Sequence, residues 1–435
     1  MTHSAHGSEL VAPMIGARPE LVERVQAITA DIPGLRVEPV NRGEGALELL
    51  QLEMPEAYMV DLANPDFDAL AILQAASEDP WLIGGGVVAI YTSTAQLRPL
   101  RAMRSLNLVA EIAVAHLAED LPVVLSLLRD NRRLLAQRAL GLDIVPELSA
   151  RFVLRNHILE ARCYANLLAQ MLYGRGWLDC EAQQGLRVGL AEILINGIEY
   201  GNCAISAEDK ERLVEEGDAY THFLRARCAE ADAARRRVEL AYTIQEGGLQ
   251  FEVRDAGSGF DWQKALDKLD SLDPLASSGR GLPLIHQAFP GLRFNPEGNV
   301  VTVTVPLRDQ AEPLRPRLFE RSPASNYAAG DFVVREGEPG STLYYIVRGE
   351  FEVLMGGRSV GRIGVDDLLL GEMAFLLGGR RTASVRALTP ATLVPVPRDD
   401  LVHALRDHPQ YGLFLARLLA QRLRRAGAEE SALNP

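Results

Sequence analysis

The sequence predicts a multidomain protein with two α/β domains followed by a β-roll domain with flanking helices. Three observations predict this order. Over 8–125, short apolar strands alternate with amphipathic helices, a pattern typical of a parallel sheet wrapped by helices. Over 148–310, strands and helices surround three polar, glycine-bearing motifs. Over 316–426, short strands are separated by glycine turns, as in a β-roll or jelly-roll barrel.

Length and composition set the broad class. A chain of 435 residues is too long for one core and suggests about three domains. The formal charge of −13 argues against direct nucleic-acid binding, because phosphate contacts need clustered Lys and Arg. The basic runs at 235–237 and 422–425 are expected to be solvated helix faces.

The chain shows no sign of a membrane or secretory segment. No apolar run reaches transmembrane length, and the N-terminus has neither the basic nor the apolar part of a signal peptide. We therefore expect a cytoplasmic protein that does not enter a membrane. The four cysteines have no metal-ligand spacing and are expected to be free thiols in a reducing compartment: Cys163, Cys180, Cys203 and Cys228.

In the first domain, strands are predicted at 57–60 and 86–90, and helices at 21–28 and 69–76. Asp61 stands at the end of a strand, four residues before Pro65. This position resembles the phosphoacceptor of response-regulator receiver domains, which implies a flavodoxin-type α/β fold.

The rest of a receiver site is missing from this domain. A receiver has an acidic pair after its first strand and a lysine after its fifth, but 14–19 and 112–117 contain neither. Without a metal to neutralise incoming phosphate, Asp61 is a poor acceptor. We expect a pseudo-receiver that binds a partner or mediates dimerisation; the alternative is phosphorylation at Asp61.

Residues 126–147 are predicted to form a linker helix. Its apolar stripe is only partly filled, and Asn131 interrupts it. A short coiled coil between two protomers and a simple linker both remain open, because the repeat is too short to distinguish them.

Three motifs carry the chemistry of the second domain. The stretch 191–202 reads Ala-Glu-Ile-Leu-Ile-Asn-Gly-Ile-Glu-Tyr-Gly-Asn, and on a helix Glu192, Asn196 and Glu199 fall at i, i+4 and i+7 on one polar face. Asp255 follows a strand at 249–253 and precedes two glycines. Two more glycines open an apolar helix at 282–288, whose first N–H groups are free to hold phosphate.

In this order the motifs resemble the N, G1 and G2 boxes of the Bergerat-fold ATPases, and most closely those of anti-sigma-factor serine kinases. The resemblance implies an α/β sandwich that binds ATP and Mg²⁺, with Glu192 catalytic, Asn196 on the metal and Asp255 on the adenine amino group. Tyr200 stands where that family often has His. The implied nucleotide-binding residues are Asn196, Glu199, Asn202, Asp255, Gly257, Gly259, Gly279, Gly281 and Leu282.

His157, followed three residues later by Glu160, could suggest a histidine-kinase phosphoacceptor. It lies, however, between a predicted strand at 150–155 and the helix that comes next. No dimerising helical pair precedes the domain. We expect His157 to be an ordinary helix-start residue.

In the third domain, the stretch 371–385 resembles the phosphate-binding cassette of cyclic-nucleotide-binding domains. The resemblance implies that Glu372 accepts from the ribose 2′-hydroxyl and that Arg381 holds the cyclic phosphate. The implied ligand residues are Gly371, Glu372, Met373, Arg381 and Thr382.

Two departures keep a cupin-like barrel open as an alternative for this domain. Arg380 replaces the family's usual Pro, and Leu369 and Leu370 replace its aromatic. Thr382 is compatible with either cAMP or cGMP. Helices are predicted at 401–405 and 412–423 with no helix-turn-helix after them, so we expect no DNA-binding regulator.

Together these motifs predict an ATP-dependent protein serine/threonine kinase of the anti-sigma type. Its partner would be an anti-anti-sigma (STAS-like) protein, its regulator a cyclic nucleotide, and a homodimer is possible. The alternative is a signalling adaptor that binds both nucleotides and changes its affinity for a partner without phosphoryl transfer.

Overall fold

A computed structural model of the chain gives its architecture. The residues it describes are 9–40, 43–79, 82, 85–135, 149–214, 219–245, 248–267, 281–308, 322–364, 367, 369–407, 412, 415, 416, 419 and 420.

The first domain is a doubly wound α/β fold whose five parallel strands lie in the order β2-β1-β3-β4-β5. This is the flavodoxin-type order. Its elements are β1 Leu10–Ile15, α1 Pro19–Thr29, β2 Leu35–Val40, α2 Gly43–Glu53, β3 Ala57–Asp61, α3 Ala69–Glu78, β4 Gly86–Tyr91, α4 Leu97–Ala102, β5 Leu108–Ala113, α5 Leu117–Asp130 and α6 Arg132–Leu135.

Helices cover both faces of this sheet, so its central strands are apolar on both sides. In β4, Val88 and Ile90 join one core cluster, whereas Val87 and Ala89 join the other. The period of two along the strand therefore places alternate residues in two separate cores.

The second domain is an antiparallel sheet in the order β6-β7-β8-β10-β9 with helices against one face. In β8, Phe251 is buried whereas the neighbouring Glu252 is only partly covered, as expected for a sheet with one solvated face. Its elements are β6 Ser149–Leu154, α7 Ile158–Gly174, α8 Cys180–Asn196, a π-helical turn Gly197–Asn202, α9 Ala207–Val214, α10 Ala219–Ala229, β7 Val238–Gln245, β8 Gly248–Arg254, α11 Trp262–Asp267, α12 Gly281–Ala288, β9 Arg293–Phe294 and β10 Val300–Val305.

The third domain is a β-roll of two four-stranded sheets, β11-β18-β13-β16 and β12-β17-β14-β15. One core cluster joins residues of both sheets, and the other joins the β11-β18-β13-β16 sheet to the helices beside it. Its elements are β11 Ser325–Tyr327, β12 Phe332–Val334, β13 Thr342–Arg348, β14 Phe351–Met355, β15 Arg358–Ile363, β16 Leu369–Leu370, α13 Glu372–Leu377, β17 Ser384–Ala387, β18 Ala391–Pro397 and α14 Arg398–Asp407.

The connection between the first two domains differs from the predicted linker helix. The expected boundary at residue 125 falls inside α5, which runs to Asp130 because Leu127 and Leu128 continue its buried stripe. Asn131 ends this helix, and its Nδ2 donates to the Leu127 carbonyl at 2.9 Å and to the Tyr164 hydroxyl at 3.2 Å. The rest of the predicted linker, 136–147, lies outside the described residues.

The first domain also packs directly against the second. The Val109 carbonyl on β5 accepts from Asn166 Nδ2 on α7 at 3.0 Å, and Arg225 on α10 donates to Asp120 on α5 at 2.9 Å. Residues of β5, α5 and α7 share one core cluster. Across the described residues, no helix combines the length and apolarity needed to span a bilayer.

Candidate functional site

The second domain brings the first and third sequence motifs together. Glu192 and Asn196 lie one turn apart on α8, and α12 begins at Gly281 beside them. A Cβ built on Gly281 would lie 3.3 Å from Glu192 Oε2 and 3.4 Å from Asn196 Nδ2. Glycine therefore lets the N-terminus of α12 approach these two polar groups closely.

Burial changes the acid strength of Glu192. Loss of water raises the pKa of its carboxyl, and this outweighs the opposing effect of the Lys210 charge. A carboxylate with a raised pKa is a better proton acceptor than an ordinary surface glutamate.

The residues after Asn196 leave the α-helical path. A π turn spans Gly197–Asn202, and π turns inside helices are frequent at functional sites. It buries Glu199, which is 3% exposed, and Asn202, which is 1% exposed. The Asn202 amide holds two segments together: Nδ2 donates to Asn156 Oδ1 at 2.8 Å, and Oδ1 accepts from the Ala256 N–H at 2.8 Å.

Asn202 is therefore a bridge between the turn and the second motif, and Arg236 supports it by donating to its carbonyl at 3.2 Å. Arg236 also pairs with Asp232. Sequence analysis placed 235–237 on a solvated helix face, which is wrong for Arg236: its guanidinium reaches back to the π turn, a contact that no local pattern reveals.

Lys210 is a further residue that sequence analysis missed. Its ammonium pairs with the buried Glu199 carboxylate and lies 5.5 Å from the centre of the Tyr200 ring. Burial alone would lower the pKa of Lys210, but the charge and hydrogen bond of Glu199, together with the nearby Tyr200 and Glu192, outweigh burial and the pKa is raised. Lys210 therefore stays charged, and Tyr200 forms part of its cation–π environment.

Asp255 lies where β8 ends, directly against the π turn. Its Oδ1 accepts from the Gly257 N–H at 2.8 Å, and a Cβ built on Gly201 would lie 2.4 Å from its carboxylate. Burial raises the pKa of its carboxyl. The second motif therefore contacts the first at Gly201, where any side chain would clash with the Asp255 carboxylate.

The structure describes three of the four remaining residues that are predicted to bind the nucleotide. Gly257 lies against the backbone of Gly201, and Gly259 packs against the Glu297 carbonyl with φ +78°. Leu282 is half-buried in the first turn of α12. Gly279 lies outside the described residues.

The oxygen atoms on α8 fit a Mg²⁺ ion that arrives with phosphates. The Glu192 carboxylate and the Asn196 amide both face Gly281, and Mg²⁺ in such sites takes one or two protein oxygens and completes its shell from phosphate and water. Among the residues described, no cluster of three or more His, Cys, Asp and Glu side chains forms a metal site by itself.

In the third domain, Arg381 is only 5% exposed. Its guanidinium donates to the Gly371 carbonyl at 2.9 Å and to the Thr342 carbonyl at 2.6 Å. Gly371 has φ +82° and caps α13, where a Cβ would lie 2.3 Å from Arg381 Nη1. Glu372 opens this helix, Met373 is exposed beside it, and Thr382 is exposed after Arg381. The structure thus places the cassette residues around one short helix.

Family models match two of the three domains. Residues 164–305 match the histidine kinase-like ATPase domain, and residues 324–408 match the cyclic nucleotide-binding domain. The chain carries both of these domains. These matches support ATP as the ligand of the ATPase domain and a cyclic nucleotide as the ligand of the cyclic nucleotide-binding domain.

The curated relatives match about a quarter of the chain. The potassium/sodium hyperpolarization-activated cyclic nucleotide-gated channel 3 of Mus musculus is 37% identical over 107 residues, which is 25% of this chain and 14% of the channel. Channel 4 of Homo sapiens is 34% identical over 107 residues, 25% of this chain and 9% of the channel. The chain thus covers about a seventh or less of these relatives.

Among solved structures, the catabolite activator protein of Thermus thermophilus has 30% identity, a TM-score of 0.24, and coverage of 27% of this chain and 56% of that one. The N-terminal domain of a transcriptional regulator from Streptomyces coelicolor has 31% identity, a TM-score of 0.22, and coverage of 25% and 81%.

His157 and Asp61, the two possible phosphoacceptors considered from the sequence, lie outside the nucleotide sites. His157 lies at the N-terminal end of α7, as predicted, with Nε2 3.6 Å from Asp120; burial lowers the pKa of its ring. The Asp61 side chain is 0% exposed and paired with Arg18, whose Nε lies 2.8 Å from Oδ2 and whose Nη2 lies 3.3 Å from Oδ1.

Proposed function

We propose that the chain is a bacterial cytoplasmic signalling protein, an ATP-dependent protein serine/threonine kinase of the anti-sigma type whose activity is set by a cyclic nucleotide. One observation carries the proposal: Glu192 and Asn196 on α8 meet Gly281 at the start of α12. A carboxylate of raised pKa, an amide and the backbone N–H groups of Gly281 and Leu282 are the kinds of group that phosphoryl transfer needs.

Each residue has a place in this reaction. Asp255 accepts a hydrogen bond from the adenine amino group, and the N–H groups at the start of α12 hold phosphate oxygens. Glu192 accepts the proton of the substrate serine hydroxyl as its oxygen bonds to the γ-phosphorus and the bond to the β-phosphate oxygen breaks, releasing ADP. Asn196 would hold Mg²⁺, which would supply charge neutralisation for the phosphates. The partner would be an anti-anti-sigma (STAS-like) protein that presents a serine or threonine.

The test is transfer of γ-labelled phosphate from ATP to candidate anti-anti-sigma proteins. Glu192→Ala should lower the transfer rate about a hundredfold or more, the usual size of a general-base contribution. Glu181→Ala, at an exposed position in the first turn of the same helix, is the matched control and should transfer normally. Equal transfer by both variants would remove Glu192 from the mechanism.

The second candidate is a signalling adaptor that binds ATP without transferring phosphate. The observation that favours it is Tyr200, which replaces the family's usual His and packs beside the charge of Lys210. In this case ATP binding would change partner affinity, and no label would reach any partner even with saturating ATP.

A further inference from the structure

Two of the four cysteines meet beside the π turn. Cys203 directly follows Asn202 and is 2% exposed, whereas Cys228 lies in the last turn of α10 and is partly exposed. A side-chain hydrogen bond joins the two thiols. Both side chains also pack in the same apolar cluster. Their positions in the sequence are scattered, and the fold alone brings them together.

The backbone around Cys203 is held from two sides. Arg227, the neighbour of Cys228, donates to the Cys203 carbonyl at 3.1 Å, and Arg236 donates to the Asn202 carbonyl at 3.2 Å. Ala204 has φ +50°, a left-handed conformation that costs energy for a residue with a Cβ. Cys203 therefore lies in a fixed and strained segment that directly follows Asn202.

The two sulfurs differ in chemical character. The hydrogen bond from Cys203 and the nearby Arg227 charge lower the pKa of Cys228, against the effect of burial. The same hydrogen bond, together with burial, raises the pKa of Cys203. Cys228 is the sulfur that an oxidant meets first, because it is partly exposed whereas Cys203 is buried.

We infer that Cys203 and Cys228 form a redox-sensitive dithiol, which hydrogen peroxide converts to a disulfide that weakens nucleotide binding at the adjoining π turn. The Cys228 thiolate attacks one peroxide oxygen; the S–O bond forms, the O–O bond breaks, and hydroxide leaves. That hydroxide takes the proton of Cys203 to give water. The Cys203 thiolate then attacks the Cys228 sulfenic acid, and the S–S bond forms as a second hydroxide leaves. Two electrons pass from the sulfurs to the peroxide.

The expected loss of nucleotide affinity on oxidation rests on the proposed ATP site. Its physical cause is the shorter distance that a disulfide imposes on the two sulfur atoms. An S–S bond is about 2.05 Å long, far shorter than a hydrogen bond between thiols. Oxidation therefore draws Cys203 toward α10. Asn202 must move with its neighbour, which disturbs its hydrogen bonds to Ala256 and Asn156. Reducing conditions restore the dithiol, as is usual for redox-sensing disulfides in the cytoplasm.

The experiment uses the full chain. Reduced protein is titrated with hydrogen peroxide, quenched with an alkylating reagent, digested and analysed by mass spectrometry, while Mg·ATP affinity is measured by calorimetry before and after oxidation. We expect a cross-linked peptide pair containing Cys203 and Cys228 and an affinity about fivefold weaker or more, both reversed by dithiothreitol. Cys228→Ser should abolish both effects, and Cys180→Ser, at another partly exposed cysteine, should abolish neither.

Each other outcome has a definite meaning. Oxidation of Cys228 without a cross-link, or a cross-link to a different cysteine, overturns the dithiol. A Cys203–Cys228 cross-link with unchanged ATP affinity overturns its control of the nucleotide site. If the cross-link forms but the reduced protein binds no ATP, the dithiol stands and the proposed ATP site falls.

Discussion

Glu192 and Asn196 lie one turn apart on the same helix and face the same glycine, yet their proposed tasks differ. The carboxyl is tuned by burial to accept a proton, whereas the amide carries no charge and offers an oxygen ligand. Residue-scale tests can therefore separate metal binding from proton transfer.

Asn196→Ala should abolish Mg²⁺-dependent ATP binding and leave the fold intact, because it removes a ligand from a half-buried position without opening a core cavity. Calorimetry with Mg·ATP measures the loss, and the thermal midpoint reports the fold. Gln184→Ala is the control: it lies on the same helix, but its amide donates to the Arg104 carbonyl of the first domain at 3.4 Å. Unchanged Mg·ATP affinity in Asn196→Ala would show that the site lies elsewhere.

Glu192→Gln should make the protein more stable at neutral pH. Because burial raises the pKa of Glu192 above its unfolded value, the folded state is penalised once the side chain ionises. The penalty is absent below the unfolded pKa, about 4.3, and grows as pH rises through the folded pKa. The midpoints of thermal unfolding of the wild type and of Glu192→Gln should coincide near pH 4 and separate toward pH 7. A difference between the two midpoints that does not change with pH would contradict the burial argument.

At the scale of elements, hydrophobic periodicity was sufficient to predict most of the secondary structure near the site. The predicted strand at 249–253 is β8 Gly248–Arg254, and the predicted helix at 282–288 is α12 Gly281–Ala288. A regular helix through Glu199 was also predicted, but a π turn begins at Gly197. The turn depends on contacts with Asn156, Arg236 and Ala256, which are distant in sequence and leave no periodic signal.

The same limit applies to Arg18. The sequence shows that Asp61 lacks the acidic neighbours that would hold a metal ion. The positive charge beside Asp61 comes instead from Arg18, which lies in the β1–α1 connection, 43 positions away in the chain. An arginine that neutralises Asp61 from within the fold supports the pseudo-receiver interpretation, since the carboxylate is already paired and shielded from water.

Arg18→Ala should destabilise the first domain by about 1–3 kcal/mol, because it leaves a buried carboxylate with too few partners. The double variant Arg18→Ala with Asp61→Asn should recover part of this loss. Chemical denaturation measures both. Asp61→Asn alone should leave the response to acetyl phosphate unchanged; a stable aspartyl phosphate on the wild-type protein that disappears in this variant would restore Asp61 as a phosphoacceptor.

At the scale of the whole molecule, the first domain touches both nucleotide-binding domains. It shares a core with the ATPase domain through β5, α5 and α7. It also places Met54, at the end of α2, against the apolar cluster of the cyclic nucleotide-binding domain. The first domain therefore contacts both nucleotide-binding domains, and we propose that these contacts carry the cyclic nucleotide signal to the ATPase domain.

Cyclic nucleotide should change ATP binding, turnover or partner affinity by about 5- to 150-fold, the usual range of coupling between two sites. cAMP and cGMP are titrated separately against each output. Arg381→Ala and Glu372→Ala should remove the response and spare basal ATP binding, because both residues lie in the other domain. Met54→Ser should reduce the response without changing cyclic nucleotide affinity. Binding of either nucleotide with no output moving by even about twofold would exclude this regulation.

The π turn Gly197–Asn202 also limits how the chain length can vary. Because its hydrogen bonds run from i to i+5, it holds one residue more than an α-helical turn. Deleting any one of its residues would let α8 continue as a regular helix and rotate the residues after the turn by about 100°. Asn202 would then leave Ala256 and Asn156. Homologues that lack this extra residue should therefore align here only with a one-residue gap, and a gapless alignment would pair Asn202 with the wrong position.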